Sequence, residues 1–224
     1  VGVREVLEQG DVQFFWTPAV QPAEGDELVL AVQSLFAILS PERGPHRRLR
    51  VGKKRMPASA RDRFWARIER VGSLQRVLGD KLEPERYLTK TRGERFQPGA
   101  RPIAQGTYAL VRHADHVHFT YEVEPFGFDD APDGPTIAES GDHLVLFKAP
   151  DEARATWTQR RDVDAFGREG AQVVLVGRCR ETAEHRRRPG QRSRDELGHR
   201  DRDVRGDRGV EREVARLHAS LARR

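Results

Sequence analysis

Asparagine does not occur among the 224 residues, and cysteine occurs once, as Cys179. A lone thiol excludes an intrachain disulfide and a cysteine-rich zinc site, in keeping with a reducing compartment. No apolar run approaches the roughly 18 residues of a membrane-spanning helix, and Val1 to Gly10 lack the basic stretch and apolar core of a signal peptide. These absences predict a cytoplasmic protein with no membrane partner. The phosphate-cradling Gly-x-x-x-x-Gly-Lys loop, the dinucleotide fingerprint and the Gly-x-Ser-x-Gly elbow are missing as well. Lysine is scarce, five against 35 arginines, a bias expected of a GC-rich coding sequence. Arginine content alone therefore points to no function.

Apolar side chains make up 37% of the chain, below the roughly 45–50% of an ordinary domain, while charged ones reach 33% against about 25%. A core is expected for part of the chain only. The net charge of +5 is unevenly divided. From Arg43 to Arg76 twelve Lys/Arg face Asp62 and Glu69, a net of +10; from Arg178 to Arg224 fifteen arginines face nine acids, a net of +6; the remainder carries −11. Charge concentrated in this way attracts a polyanion. The competing reading is self-neutralisation against Asp115 to Glu152, where ten acids oppose one lysine.

Periodicity predicts an α+β fold: one compact domain over residues 10–177, with several mostly antiparallel strands and a few short helices. Val12 to Trp16 reads as an aromatic strand, and Leu28 to Leu39 is apolar but ambiguous between helix and strand. The turn Ser40 to Pro45 leads into a polar, exposed arm, His46 to Met56, making a hairpin. Ser59 is expected to cap a helix to Val71, because Phe64, Ile68 and Val71 recur at spacings of four and three, with Trp65 widening the stripe. Ser73 to Leu78 reads as a second helix stopped by Gly79. Gly106 to Val111 and Val117 to Val123 form the clearest strand pair, His143 to Phe147 and Gln172 to Val176 read as buried strands, and a helix fits Glu152 to Arg161. Pro125 to Pro135 is a loop.

Residues 178–224 contain no aromatic, Ile, Met or Lys, and such a low-complexity, Arg-rich tail is expected to stay largely disordered. Val210, Val214, Leu217 and Leu221 are the exception, an amphipathic seam suited to docking or to a partner helix. A shifted reading frame of a GC-rich gene is a second explanation of this composition.

Three stretches, Gly52-Lys53-Lys54-Arg55-Met56-Pro57, Thr89 to Arg95, and Ala100-Arg101-Pro102 running on to the strand pair around His113 to His118, together resemble a family of uncharacterised prokaryotic proteins over residues 11–177. The resemblance implies an intracellular single-domain protein and carries over no catalytic residue.

Two clusters have chemistry to offer. Arg47, Arg48, Arg50, Lys53, Lys54 and Arg55 on the hairpin, with Arg63, Arg67 and Arg70 on the expected helix, place guanidinium forks where they could track RNA or DNA phosphates. Tyr87 and Phe96 are candidate stacking residues. The leading expectation is thus a non-catalytic nucleic-acid-binding domain. The alternative is a metal-binding protein or metal-dependent hydrolase using a divalent metal, centred on His113, Asp115, His116 and His118, with Glu122 as a further ligand or general base. His116 and His118, two apart on a strand, share a face, but the order matches no established zinc motif. Cys179, between two arginines, is a weak nucleophile candidate, and Arg205-Gly206-Asp207 is a chance tripeptide in a tail of this composition.

Overall fold

The structure, a computed structural model, describes residues 4–22, 31–59, 61–113, 116–126, 137–148 and 163–177. It is not α+β. Eight antiparallel strands close into a barrel: β1 (Arg4–Pro18), β3 (Val32–Pro41), β4 (His46–Val51), β5 (Arg63–Gly72), β8 (Arg101–His113), β9 (His116–Pro125), β10 (Ser140–Lys148) and β11 (Gln172–Val176). Around the barrel the order is β1-β3-β4-β5-β11-β10-β9-β8. Two four-stranded meanders are therefore joined at both edges, β1 to β8 and β5 to β11. Closure leaves no free edge, and a barrel of eight strands is just wide enough for side chains to fill.

Between the meanders lie the single described α-helix, α1 (Leu74–Leu82), and a hairpin of β6 (Glu85–Thr89) and β7 (Gly93–Gln97), to which β2 (Gln21–Pro22) adds a short third strand. Ser73 caps α1 by accepting from the Arg76 amide, as expected, but Gly79 lies inside the helix rather than ending it. No described helix is long and apolar enough to cross a membrane. Contacts divide the chain into Val1–Cys179 and Arg180–Arg224. The Glu152 to Arg161 helix, most of the Pro125 to Pro135 loop and the Val210 to Leu221 seam lie outside the described residues.

The expected helix from Ser59 to Val71 is instead strand β5, and the reason is a spacing common to both periodicities. Phe64, Ala66 and Ile68 face the core at intervals of two, while Arg63, Trp65 and Arg67 alternate with them outward. A step of four fits two strand repeats as well as one helical turn. The step of three from Ile68 to Val71 comes from a bulge: Leu49 pairs with Ile68 and Arg48 with Arg70, so Glu69 is the extra residue, and the inward set passes from even to odd numbers.

Inside the barrel, Val12, Phe14 and Trp16 of β1 meet Leu35, Ala37 and Leu39 of β3 and Phe119 and Tyr121 of β9. Phe166, in the 3-10 turn Asp164–Gly167, sits edge-on to Phe147 with ring centroids 5.3 Å apart. Strands β1 and β3 are also covered on their outer side, where Phe15 and Phe36 stack at 5.3 Å. Burial on both faces explains their continuous apolar runs, which carry no alternation to identify them as strands. Helix α1 lies against β4 and β5 and buries Leu74, Val77, Leu78 and Leu82.

Candidate nucleic-acid interface

The basic segment does not form one surface. The β3–β4 hairpin is present, turning at Gly44 with φ 105°, but its outgoing strand is not an exposed arm. Arg47 points into the barrel and is 5% exposed. Its guanidinium grips Glu8 with both terminal nitrogens, Nη1 donating to Oε1 at 2.9 Å, and the Tyr108 hydroxyl donates to the same oxygen at 2.7 Å. Burial, then the Glu8 charge, pushes the Tyr108 hydroxyl far above its usual range, so it remains a donor. Arg48 turns outward but lies beneath α1, 3% exposed, donating to the Val77 carbonyl at 3.0 Å and pairing with Asp80 and Glu69. Desolvation raises the Asp80 carboxyl, but the hydrogen bond and charge of Arg48 outweigh it and hold it low. Both arginines are walled in by their own protein and leave the candidate surface.

The remaining cations divide in two. Arg55 pairs with Asp62 and lies over the Phe64 ring at 4.8 Å, and Arg70 sits where its charge acts on Asp80 and Glu169. Arg55 supports the fold, whereas Arg70 is exposed and enters no ion pair among the described residues. Arg63 and Arg67 project from the outer side of β5, with exposed Lys53 and Lys54 in the turn leading to it. Among the described residues these four enter no ion pair. Arg50, opposite Arg67 on β4, adds a fifth exposed cation, tethered to Glu69 at 3.2 Å.

At the centre of this face stands a residue that a helical reading assigned to the core. Trp65 is 58% exposed, between Arg63 and Arg67 on the same side of β5. Its register partner on β11 is Val174; on its β4 side the Gly52 amide donates to the Trp65 carbonyl at 2.6 Å. A Cβ at Gly52 would come within 2.9 Å of that carbonyl oxygen and 3.2 Å of the Trp65 Cβ. Strict alternation through Arg63-Phe64-Trp65-Ala66-Arg67-Ile68 was the available signal, since it puts tryptophan on the arginine side. Tyr87 is partly exposed on β6, while Phe96 on β7 lies under Arg86, 5.2 Å from its ring. Both belong to the small sheet, as does Leu88, 82% exposed.

The histidines do converge. His113 and His116 are register partners at the β8–β9 turn, His118 lies two residues on, and the three ring centroids are 4.9 to 6.4 Å apart on the outer face of the barrel. A carboxylate that spacing had not flagged joins them: Asp142, on β10, lies 2.6 Å from His118 Nδ1. Desolvation raises the Asp142 carboxyl, but His118 more than offsets this, aided by the charges of His143 and Arg4, and it is held below its usual range. Asp115 lies outside the described residues. Glu122 is on the same outer side of β9 but four residues further along. Among the described residues no three such groups are placed to hold one metal ion. No family model, curated protein or solved structure matches the chain.

Proposed function

We propose that this is a non-catalytic, cytoplasmic binding domain that holds the phosphate backbone of a nucleic acid on the outer face of β4, β5 and the turn between them. One observation carries the reading: Arg63 and Arg67 flank an exposed Trp65 on a rigid strand, with Lys53, Lys54 and Arg50 beside them and no acidic partner for four of these five cations among the described residues. Guanidinium forks suit phosphate oxygens, and cations not already neutralised by the protein are the ones that release counterions on binding. The interface is narrower than the full Arg43 to Arg76 segment, because Arg47 and Arg48 are committed to the interior and to α1.

Mobility shifts or fluorescence anisotropy with mixed nucleic acids across a salt series test it. Affinity should fall steeply with salt, and a Lys53→Ala/Lys54→Ala/Arg63→Ala/Arg67→Ala variant should keep its melting temperature while its log–log salt slope drops by about 3. Absence of binding at low salt, or an unchanged slope in the variant, would sink the reading.

A further inference from the structure

We infer that the outer face of β5 selects single-stranded nucleic acid, RNA or DNA, with one unpaired base stacked on the Trp65 indole and the flanking phosphates held by Arg63 and Arg67. The inference rests on the polyanion reading above and adds the form of the ligand. Its basis is a combination that neither phosphate binding nor core packing requires. A duplex presents phosphates on the outside and hides its base faces, so a surface meant for backbone alone gains nothing from a large aromatic ring. An unpaired base offers a free π-face, and stacking on an aromatic side chain is indifferent to its identity.

The geometry suits that ligand. Arg63, Trp65 and Arg67 are alternate residues of one strand, so their Cα atoms follow at intervals of about 6.6 Å along a nearly straight line. A cation thus lies on each side of the ring, and Arg50 is one strand away, opposite Arg67. On the other side the register partner of Trp65, Val174, is itself buried, so the contact surface is the indole and the cations of β4 and β5. Gly52 puts no side chain on the β4 side. The strand is fixed by hydrogen-bonded neighbours on both sides, so little ordering is required when a base docks.

Other occupants fit less well. A protein partner that used Trp65 as an apolar anchor would have to bury the guanidinium groups ringing it. The chain's own 178–224 segment carries a net of +6, the wrong sign to cover a basic face.

The test uses the full chain, so that residues 178–224 are common to every variant. Anisotropy is measured with labelled oligo-rU and oligo-dT of about 15 nucleotides and with a duplex of the same length, at fixed salt. Trp65→Ala should weaken single-strand binding by about 5- to 100-fold and leave duplex binding unchanged, whereas Trp65→Phe should retain most of the affinity. Oligonucleotide should also quench tryptophan emission in the parent and lose that quench in Trp65→Phe. Equal binding of single strand and duplex, both salt-sensitive and both indifferent to Trp65→Ala, would overturn the single-strand inference and leave the polyanion reading standing. A complete lack of binding at low salt would remove both. A concentration-dependent dimer abolished by Trp65→Ala, with oligonucleotide binding unaffected, would assign the indole to a second copy of the chain and overturn the inference.

Discussion

An arginine enclosed within a barrel is tolerable only if its charge is met there, and Arg47 is met on both terminal nitrogens by Glu8. Removing one partner should cost far more than removing the group as a whole. Arg47→Met leaves a buried carboxylate facing a methyl group, for an expected loss of about 3–5 kcal/mol in denaturant unfolding. The Glu8→Leu/Arg47→Met/Tyr108→Phe variant takes away both charges and the hydroxyl that depends on them, and is expected to be clearly more stable than the single change. A triple variant no better than Arg47→Met would show that the network stabilises by more than self-compensation. At the surface, Asp62 illustrates pH linkage. The Arg55 side chain, then the Ala58 amide, lower its carboxyl to about 2 from an ordinary 3.8. Because the folded value lies below the unfolded one, the stabilisation is present above about pH 4 and disappears as pH falls towards 2. The gap in urea midpoint between the parent and Asp62→Asn should accordingly be widest near neutrality and narrow through the acid range.

At the scale of elements, β5 separates core from outer face residue by residue. Phe64→Ala empties an inward site and is expected to cost about 3–5 kcal/mol, while Trp65→Ala, one position on and 58% exposed, should cost clearly less, about 1–2 kcal/mol. A helix would bury both, so comparable losses in urea melts would contradict the strand. The same element shows what the sequence could and could not disclose. The β8–β9 pair was legible because Val117, Phe119, Tyr121 and Val123 alternate cleanly with polar residues; β10 and β11 were legible as short apolar runs. β5 was not, because a bulge at Glu69 reproduces a helical step of three, and β3 was ambiguous because both its faces are covered. For the site, the basic segment was visible in the charge count, yet burial of Arg47 and Arg48 depends on Glu8, Glu69 and Asp80. No local spacing announces those carboxylates. Asp142 beside His118 is a cross-strand neighbour of the same kind, 24 residues away.

At the scale of the whole molecule, the question is how much of the chain the barrel needs. The last barrel strand ends at Val176, and the amide of Gly177 donates to the Asp62 carbonyl at 3.0 Å, which ties that end to the approach to β5. A chain ending at Gly177 should therefore fold with a cooperative melt and an unchanged melting temperature. Loss of solubility or cooperativity would mean that the Val210 to Leu221 seam contributes to the fold. A chain ending at Lys148, by contrast, lacks β11, leaves β5 and β10 as open edges, and should neither melt cooperatively nor bind oligonucleotide. The seam between β5 and β11 thus sets an order of events. Trp65 and Val174 are register partners separated by most of the domain, and such a distant pairing is among the slowest contacts for a chain to make. During synthesis from the amino terminus, the basic strand emerges long before the strand that pairs with it and closes the barrel. On the proposed function, the outer face of β5 is withheld from the nascent chain until the barrel shuts, so that competence for a ligand would report that folding is finished.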